Sequence, residues 1–318
     1  MTNRQQFLAG AGAAAGVLAT PSTLRAQTTA APFTVRLAST VTGTVAPLIY
    51  GLKIGAFAKA GLDIQLAKSQ NGAAVAAGVV GGSIDIGNAS MPALYLAHER
   101  GIPLTVIVPT GIYDSKVPFG AFIVQKDGTL RTAADFNGQT IGISAIGDIG
   151  SLALRTWMDK NGGDSRSLKF VEITMSAIAA AVQVGRVAAG EIGYPQLAAA
   201  LESGAFRTIP AFAALGPEYA LSAYFTTADF SAKNSAIVRT FARVNAELAK
   251  YCNTHPADII PMLAEWTGME PAVVAKMPKS TYGTTPNPLL FQRTIDAAAR
   301  YGVLKAGFPA REIIDRNS

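Results

Sequence analysis

The amino-acid sequence predicts an α/β fold with two lobes, and three observations support this prediction. Strand-like and helix-like patterns alternate from residue 33, a second alternating stretch follows in the middle of the chain, and helical patterns dominate the end. Such an alternation is typical of βαβ units with a mainly parallel sheet. A helical tail after two units is expected to pack back on the first. We therefore predict one lobe of residues 33–124 plus 225–318, a second of 125–224, and a cleft between them.

The first unit begins with a strand at 33–38, where apolar and polar residues alternate. Helical spacing follows over 46–60 and ends at Gly61, because glycine commonly follows a helix end. The same patterns predict strands at 63–66, 84–87 and 104–108, and helices at 72–80 and 91–100.

The second unit and the tail are predicted in the same way. The second unit has strands at 121–124, 139–144 and 169–173, a helical turn at 132–135, and helices at 151–160 and 176–187. After a strand-like run at 224–226, the tail has helices at 235–253, 256–266, 271–277 and 289–301.

The first 26 residues are predicted to be a secretory signal rather than part of the fold. Arg4 precedes an apolar stretch over 7–19, and small residues lead to a plausible cleavage site after Ala26. Gln5 stands where a twin-arginine signal has its second arginine, so general and twin-arginine export both stay open. No later apolar run approaches the ~20 residues of a spanning helix, so we expect a soluble mature chain.

Composition argues against several classes of function. The 318 residues include 27 Lys+Arg and 21 Asp+Glu, a net charge of +6 without any run of four basic residues, which argues against nucleic-acid binding. One cysteine excludes an internal disulfide, and two histidines leave no multi-histidine zinc site. The chain also lacks a Gly-x-Ser-x-Gly elbow and a P-loop. We therefore expect neither catalysis, nor a bound metal, nor a cofactor.

Ligand-binding residues are expected where strands end, because open α/β sheets bind ligands beyond the carboxyl ends of their strands. The loop after the first strand is rich in hydroxyls, and a loop of the second lobe is rich in glycine, which lets backbone approach a ligand. The candidates are Ser39, Thr40, Thr42, Thr44, Asn71, Asn88, Ser90 and Tyr113 in the first lobe, and Ser144, Gly147, Asp148, Ser151 and Tyr194 in the second.

Several candidates also fit a purely structural role. Asn88, Ser90 and the Ser/Thr hydroxyls are suited to cap the helices that follow them. Tyr113 and Tyr194 could stack on a flat ligand or pack in a lobe core. No arginine stands out as a carboxylate clamp. The ligand class therefore stays open between a small oxyanion, a carboxylate, and a neutral or aromatic molecule.

Five segments in order resemble a known family: VAPL at 45–48, AGLDI at 60–64, GGSIDIG at 81–87, AHERGIPL at 97–104 and TAADFNGQTIG at 132–142. They are similar to the solute-binding proteins of nitrate/sulfonate/taurine-type ABC importers (SsuA/TauA-like), which group with the NMT1/THI5-like proteins. The resemblance spans about residues 33–315. It implies a type II periplasmic-binding fold, in which two crossing strands join two doubly wound sheets.

The resemblance also implies a function. We expect a periplasmic, monomeric binding protein that captures a small organic solute or oxyanion by hinge closure and then docks on an ABC permease in the inner membrane. A sensor or an enzyme that uses the same fold is the alternative. The chain departs from its sulfonate-binding relatives at Asp148, where a carboxylate would repel a sulfonate if it faced the cleft.

Overall fold

The computed structural model describes residues 31–69 and 72–316. The predicted signal segment, 1–26, and the candidate Asn71 lie outside the described residues. Among the helices that are described, none is long and apolar enough to cross a membrane.

The described residues form two β-sheets. Their strands are β1 (Phe33–Thr40), β2 (Leu62–Ser69), β3 (Ile86–Ser90), β4 (Leu104–Asp114), β5 (Gly120–Gln125), β6 (Thr140–Ile143), β7 (Lys169–Glu172), β8 (Ala189–Gly193), β9 (Phe206–Ile209), β10 (Glu218–Thr227) and β11 (Thr281–Tyr282). The first sheet has the order β11-β4-β10-β3-β1-β2, and the second has the order β7-β6-β8-β5-β9.

Each sheet combines parallel and antiparallel pairs. In the first sheet β1 runs parallel to β2 and β3, whereas β10 is antiparallel to both β3 and β4. In the second sheet β6 is parallel to β7 and β8, whereas β5 is antiparallel to β8 and β9. The sheets are mixed rather than mainly parallel, because β5 and β10, which enter each sheet from the other one, run against their neighbours.

Helices connect the strands and cover the sheets. They are α1 (Ala46–Lys53), α2 (Ala56–Lys59), α3 (Gly72–Val80), α4 (Met91–Glu99), α5 (Ile149–Lys160), α6 (Met175–Gln183), α7 (Gln196–Glu202), α8 (Ala228–Lys233), α9 (Ser235–Thr254), α10 (Ile260–Thr267), α11 (Pro271–Lys276) and α12 (Leu289–Arg300). The helix predicted over 46–60 is interrupted, since Gly55 adopts a φ of 69°, which a right-handed helix does not allow.

The long helix α9 shows why the tail packs back on the first sheet. Its apolar residues Val238, Phe241 and Leu248 recur at helical spacing on one buried face. The Phe241 ring lies 5.7 Å from that of Phe57 and 5.1 Å from that of Tyr224 on β10. Burying one such ring contributes about 1.5–3 kcal/mol, so this face fixes the tail on the first sheet.

Two short segments cross between the sheets. Residues 115–119 lead from β4 to β5, and residues 210–217 lead from β9 back to β10. They lie side by side, because the Ser115 amide donates a hydrogen bond to the Pro217 carbonyl at 2.9 Å. The predicted borders between the lobes are 124/125 and 224/225. The segments that connect the two sheets come several residues earlier in the sequence, because β5 already belongs to the second sheet and β10 to the first.

The tail also contacts the second part of the molecule. Helix α12 packs on α4 and on α5. The Tyr301 hydroxyl, just after α12, donates a hydrogen bond to Asp159 near the end of α5 at 3.0 Å. The two sheets are therefore held together on one side by α12 as well as by the crossing segments.

Candidate functional site

A cavity of about 380 Å³ lies between the two sheets, where the strand ends of one face those of the other. The first sheet contributes the loop after β1 and the last residue of β3. The second contributes the first turn of α5 and the end of β8. The segment after α11 closes one side. The lining residues are Thr40, Thr42, Gly43, Thr44, Asn88, Ser90, Gly111, Ile112, Val117, Phe119, Asp148, Ile149, Gly150, Met175, Glu191, Ile192, Gly193, Tyr194, Phe212, Leu221, Ser222, Met277, Pro278, Lys279, Ser280 and Thr281.

A chain of hydrogen bonds runs along the first-sheet wall of the cavity. The Asn88 amide donates to the Thr110 hydroxyl at 3.0 Å, and the hydroxyls of Thr110 and Ser222 are 2.7 Å apart. Ser222 in turn donates to Thr44 at 3.2 Å, and Thr44 lies 2.8 Å from Thr42, oxygen to oxygen. Three strands thus fix the two threonines that project into the cavity. Because linked hydroxyls rotate together, this wall can either donate to a ligand or accept from it.

Asp148 lies opposite this wall and has two partners. Its carboxylate accepts a hydrogen bond from the Ile149 amide at 2.8 Å, which caps α5. The Ser90 hydroxyl, at the end of β3 in the first sheet, also acts on this carboxylate from across the cavity. Burial raises the pKa of Asp148, although the Ile149 amide and the Ser90 hydroxyl act in the opposite direction. The residue therefore caps a helix and faces the cleft at the same time.

Glu191 is a second carboxylate in the cavity. Its Oε2 accepts hydrogen bonds from the amide and the hydroxyl of Ser144, at 3.3 and 3.2 Å. The carboxyl group packs against the backbone of Gly150, where a Cβ would lie 2.4 Å from it. Burial and the charge of Asp148 together raise the pKa of Glu191 to about 7, although the hydrogen bonds from Ser144 act in the opposite direction.

Apolar side chains form the rest of the lining. The rings of Phe119 and Phe212 are 5.0 Å apart at 58°, and Met175, Ile192 and Leu221 complete this surface. Tyr194 lies beside it and precedes a cis proline peptide bond. A cavity with an apolar body and a few converging polar groups is typical of a small-molecule site.

The structure brings seven of the thirteen predicted site residues to this cavity. They are Thr40, Thr42, Thr44, Asn88, Ser90, Asp148 and Tyr194. Asn71 lies outside the described residues. The remaining five, Ser39, Tyr113, Ser144, Gly147 and Ser151, lie near the cavity but do not line it.

Those five residues have structural positions instead. Ser39 is fully buried in β1 and donates to Asn88 and to the Thr40 carbonyl. Tyr113 is buried in β4 and stacks on Tyr219 at 4.7 Å, so it packs in the core as the structural alternative predicts.

The other three lie around the start of α5. The Ser144 hydroxyl holds Glu191, as described above, and the Ser151 hydroxyl donates to the Asp148 carbonyl at 2.8 Å. Gly147 lies in the turn before α5, where its nearest neighbour is Val303 of the tail.

Sequence reasoning missed Glu191, Ser222, Phe212 and the segment 277–281. A signal for Glu191 existed, since it is the only charged residue in a five-residue strand that is otherwise Ala, Gly and Ile. Ser222 is marked in a similar but weaker way, as a polar residue between apolar residues of strand β10. Phe212 and the segment 277–281 reach the cavity through the tertiary fold, and no local pattern marks them.

The charges at the cavity are unbalanced. Asp148 and Glu191 line it, whereas the basic residue Lys279 is exposed at its edge, and no arginine occurs among the described lining residues. In the described part of the chain, no group of three or more His, Cys, Asp or Glu side chains could hold a metal ion. The site can therefore accept hydrogen bonds, donate them through hydroxyls, and enclose an apolar body.

The fold is shared with solved periplasmic proteins. The aliphatic sulphonate binding protein SsuA from Escherichia coli is 19% identical over 90% of this chain and 93% of that one, with a TM-score of 0.72. The alkanesulfonate-binding protein SsuA from Xanthomonas axonopodis pv. citri, bound to MOPS, is 19% identical over 90% and 99%, with a TM-score of 0.68. The nitrate-binding protein NrtA from Synechocystis PCC 6803 is 16% identical over 90% and 86%, with a TM-score of 0.70.

These similarities confirm the predicted periplasmic-binding fold. A search of curated protein sequences found no match. The sequence profile described as NMT1/THI5 like matches residues 42–259, which is more than half of the chain and includes most of the cavity lining. The resemblance in the sequence is thus confirmed, and the chain belongs to the NMT1/THI5-like family.

Proposed function

We propose that this chain is the exported substrate-binding component of an ABC importer. It captures a small solute in the cavity between its two sheets and delivers it to the permease. The observation that carries this proposal is that both sides of the molecule line one cavity, with Ser90 of the first side near enough to Asp148 of the second to lower its pKa. A ligand held there contacts both sides only when they are close together, so binding favours the closed form.

The connections between the sheets fit such a closure. Within the described residues the chain crosses between the sheets at 115–119 and at 210–217, and a hydrogen bond from Ser115 to Pro217 holds these segments side by side. Motion about two short adjacent segments is a hinge motion. The hydrogen bond between Tyr301, just after α12, and Asp159 on α5 is a further link between the two parts of the molecule.

Several observations support transport by an exported binding protein. The predicted signal over residues 1–26 supports export. The fold is that of proteins named for sulfonate and nitrate binding, and a periplasmic binding role implies a permease partner. Among the described residues that line the cavity there is no histidine and no cysteine, which are the usual general base and thiol nucleophile of hydrolytic enzymes.

The test is thermal unfolding of the purified protein against a ligand panel. The panel contains nitrate, alkyl sulfonates, aromatic carboxylates, dicarboxylates, pyrimidines and amines. A ligand at one hundred times its dissociation constant adds about 2.7 kcal/mol to the free energy of unfolding, which raises the midpoint visibly. X-ray scattering with and without that ligand then measures closure.

A matched pair of variants assigns the binding to the cavity. Leu221→Trp places an indole in the cavity and should abolish the midpoint shift, whereas Leu201→Trp on the exposed face of α7 should leave it intact. The proposed function would be overturned if no ligand of the panel raised the unfolding midpoint, or if the shift of the midpoint persisted in Leu221→Trp.

A further inference from the structure

The charged groups of the cavity carry information about the ligand. Asp148 and Glu191 both line it, and the charge of Asp148 raises the pKa of Glu191, so the two carboxylates repel each other. The one basic side chain among the described lining residues, Lys279, is exposed at the edge. The cavity therefore contains two like charges with no buried counter-charge.

The carboxylates also have unused acceptor capacity. Oε2 of Glu191 accepts two hydrogen bonds from Ser144, but no described residue donates to Oε1. Asp148 accepts a hydrogen bond from Ile149, and an ionised carboxylate has about four acceptor positions. Both groups can therefore accept further hydrogen bonds, and a ligand that enters the cavity can supply the donors.

An anion is poorly suited to this environment. A sulfonate, nitrate or carboxylate would add a third negative charge to two that are already partly desolvated. Tight anion sites supply arginine, lysine or free backbone amides. Here the first amide of α5 already bonds to Asp148, and Glu191 occupies the space beside Gly150 in the first turn.

A cation reverses these energetics. An ammonium group near both carboxylates replaces their repulsion by attraction and fills the open acceptor positions with N–H donors. The apolar surface around Phe119, Phe212 and Leu221 then encloses an uncharged body. A metal ion is less suited, because the described residues provide no group of three ligating side chains.

We propose that this cavity selects an organic cation, an amine with an apolar body whose ammonium group lies between Asp148 and Glu191. This inference rests on the proposed function and names the class of solute. The hydrogen-bonded hydroxyls of Thr42 and Thr44 face the other end of such a molecule and bind a polar substituent there.

The test compares ligands that differ only in the charged group. Phenethylamine is measured against phenethylsulfonate, hydrocinnamate and the neutral phenethyl alcohol, and butylamine against butanesulfonate and valerate, by calorimetry and by thermal unfolding. At about pH 8 we expect each amine to bind at least tenfold more tightly than its isosteric anions. Magnesium, calcium and zinc chlorides are included as metal probes.

The pH dependence of ligand affinity is a second, independent way to distinguish a cationic ligand from an anionic one. Ionisation of Glu191 favours a cation and opposes an anion, so amine affinity should rise by up to about tenfold between about pH 6 and pH 8. The other titratable groups near Glu191 are Asp148 at the start of α5, Tyr219 on β10, Glu172 at the end of β7 and Lys279 at the cavity edge. Burial raises the pKa of Tyr219 far above this range, so Tyr219 stays neutral.

Variants assign the effect to the two carboxylates. Glu191→Gln and Asp148→Asn keep the shape of the side chains, and each should weaken amine binding at least tenfold. Glu191→Gln should also flatten the pH dependence. The controls Glu265→Gln on α10 and Asp127→Asn after β5 remove exposed carboxylates that do not line the cavity and should change neither property. Melting of each variant without ligand shows that it is folded.

Each other outcome overturns the inference. Tighter binding of a sulfonate or carboxylate than of its amine would overturn the cationic class and leave the binding function standing. Equal affinities for phenethyl alcohol and phenethylamine would show that the ammonium charge does not contribute to binding. A metal-dependent shift that Glu191→Gln abolishes would assign the carboxylates to a metal ion. If neither these ligands nor the wider panel shifted the midpoint, the binding function itself would fail.

Discussion

The hydroxyl of Ser90 acts on the carboxylate of Asp148 from across the cavity and opposes the rise of its pKa. Ser90 ends β3 of the first sheet, and Asp148 caps α5, which follows β6 of the second sheet. We expect opening of the cleft to separate the two side chains, so this interaction favours the closed form.

We expect Ser90→Ala to shift the population toward the open form. The loss of the interaction between this hydroxyl and Asp148 should weaken ligand binding by about 1–2 kcal/mol, which is roughly five- to thirtyfold. Calorimetry with the ligand identified by the panel measures the affinity, and X-ray scattering measures closure. The control is Ser176→Ala, an exposed serine on α6 outside the cavity lining. Full affinity in Ser90→Ala would show that this interaction does not support the closed state.

The close approach of Gly150 and Glu191 gives a second prediction. A Cβ at position 150 would lie 2.4 Å from the Glu191 carboxylate, so Gly150→Ala must displace that group from Ser144. We expect the free energy of unfolding to fall by about 1–3 kcal/mol, and ligand binding to weaken as well.

Urea unfolding and calorimetry measure these two effects. Gly307→Ala is the matched control, because its Cβ would meet the Ala299 methyl at an ordinary 3.7 Å. If Gly150→Ala were as stable as the control and bound ligand normally, the carboxylate would not be confined as described.

Much of the fold could be predicted from the sequence, because periodic apolar patterns mark elements that pack on a single core. The strands at 33–38, 63–66 and 104–108 and the long tail helices were predicted in this way, and each lies within or close to an observed element. The short strands Ala189–Gly193 and Phe206–Ile209 were missed, because four or five residues give too little periodicity to distinguish them from loops.

The site was harder to predict than the fold, for a physical reason. Loops rich in hydroxyls pointed to Thr42 and Thr44, since local composition marks where strands end. Their partners Thr110 and Ser222 lie inside strands far away in the sequence, and only the pairing of β10 with β4 brings them together. Glu191 likewise acquires its role from its contacts with Gly150 and Ser144. These residues are far from it in the sequence, and local sequence patterns do not reveal the contacts.

The hydroxyl chain behind the cavity gives a third prediction. Thr110 is 2% exposed, and its hydroxyl is bonded to both Asn88 and Ser222. Thr110→Val keeps the shape of the side chain but leaves two buried polar groups without this partner. We expect a loss of about 1–3 kcal/mol in the free energy of unfolding, together with weaker ligand binding through Thr44.

Another threonine on the same strand serves as the control. Thr105 has a similarly low exposure of 9%, but its hydroxyl makes one long bond of 3.4 Å to the Ile313 carbonyl. Thr105→Val should therefore cost less and leave ligand binding unchanged. Equal losses in the two variants, measured by urea unfolding, would mean that the hydrogen-bonded chain contributes nothing beyond an ordinary threonine.

The raised pKa of Glu191 predicts how the stability of the ligand-free protein depends on pH. The ordinary value for this group is 4.5, and the folded protein raises it to about 7. Folding therefore favours the protonated acid, so the contribution of Glu191 to stability is complete below about pH 4.5 and is lost as pH rises to about 7. The raised pKa of Asp148 acts in the same direction.

We expect the free energy of unfolding to fall by on the order of 2 kcal/mol between about pH 5 and pH 8. Carboxylates with a lowered pKa, such as Asp135, have their effect at more acidic pH and do not contribute here. Urea unfolding at several pH values measures the slope, which Glu191→Gln should reduce and the exposed-site variant Glu265→Gln should retain. A slope that is the same in the protein and in Glu191→Gln would mean that Glu191 does not titrate in this range. A saturating amine ligand should flatten the slope, because it binds the ionised form and lowers the pKa of Glu191, so that neither the bound protein nor the unfolded chain holds this proton above about pH 5.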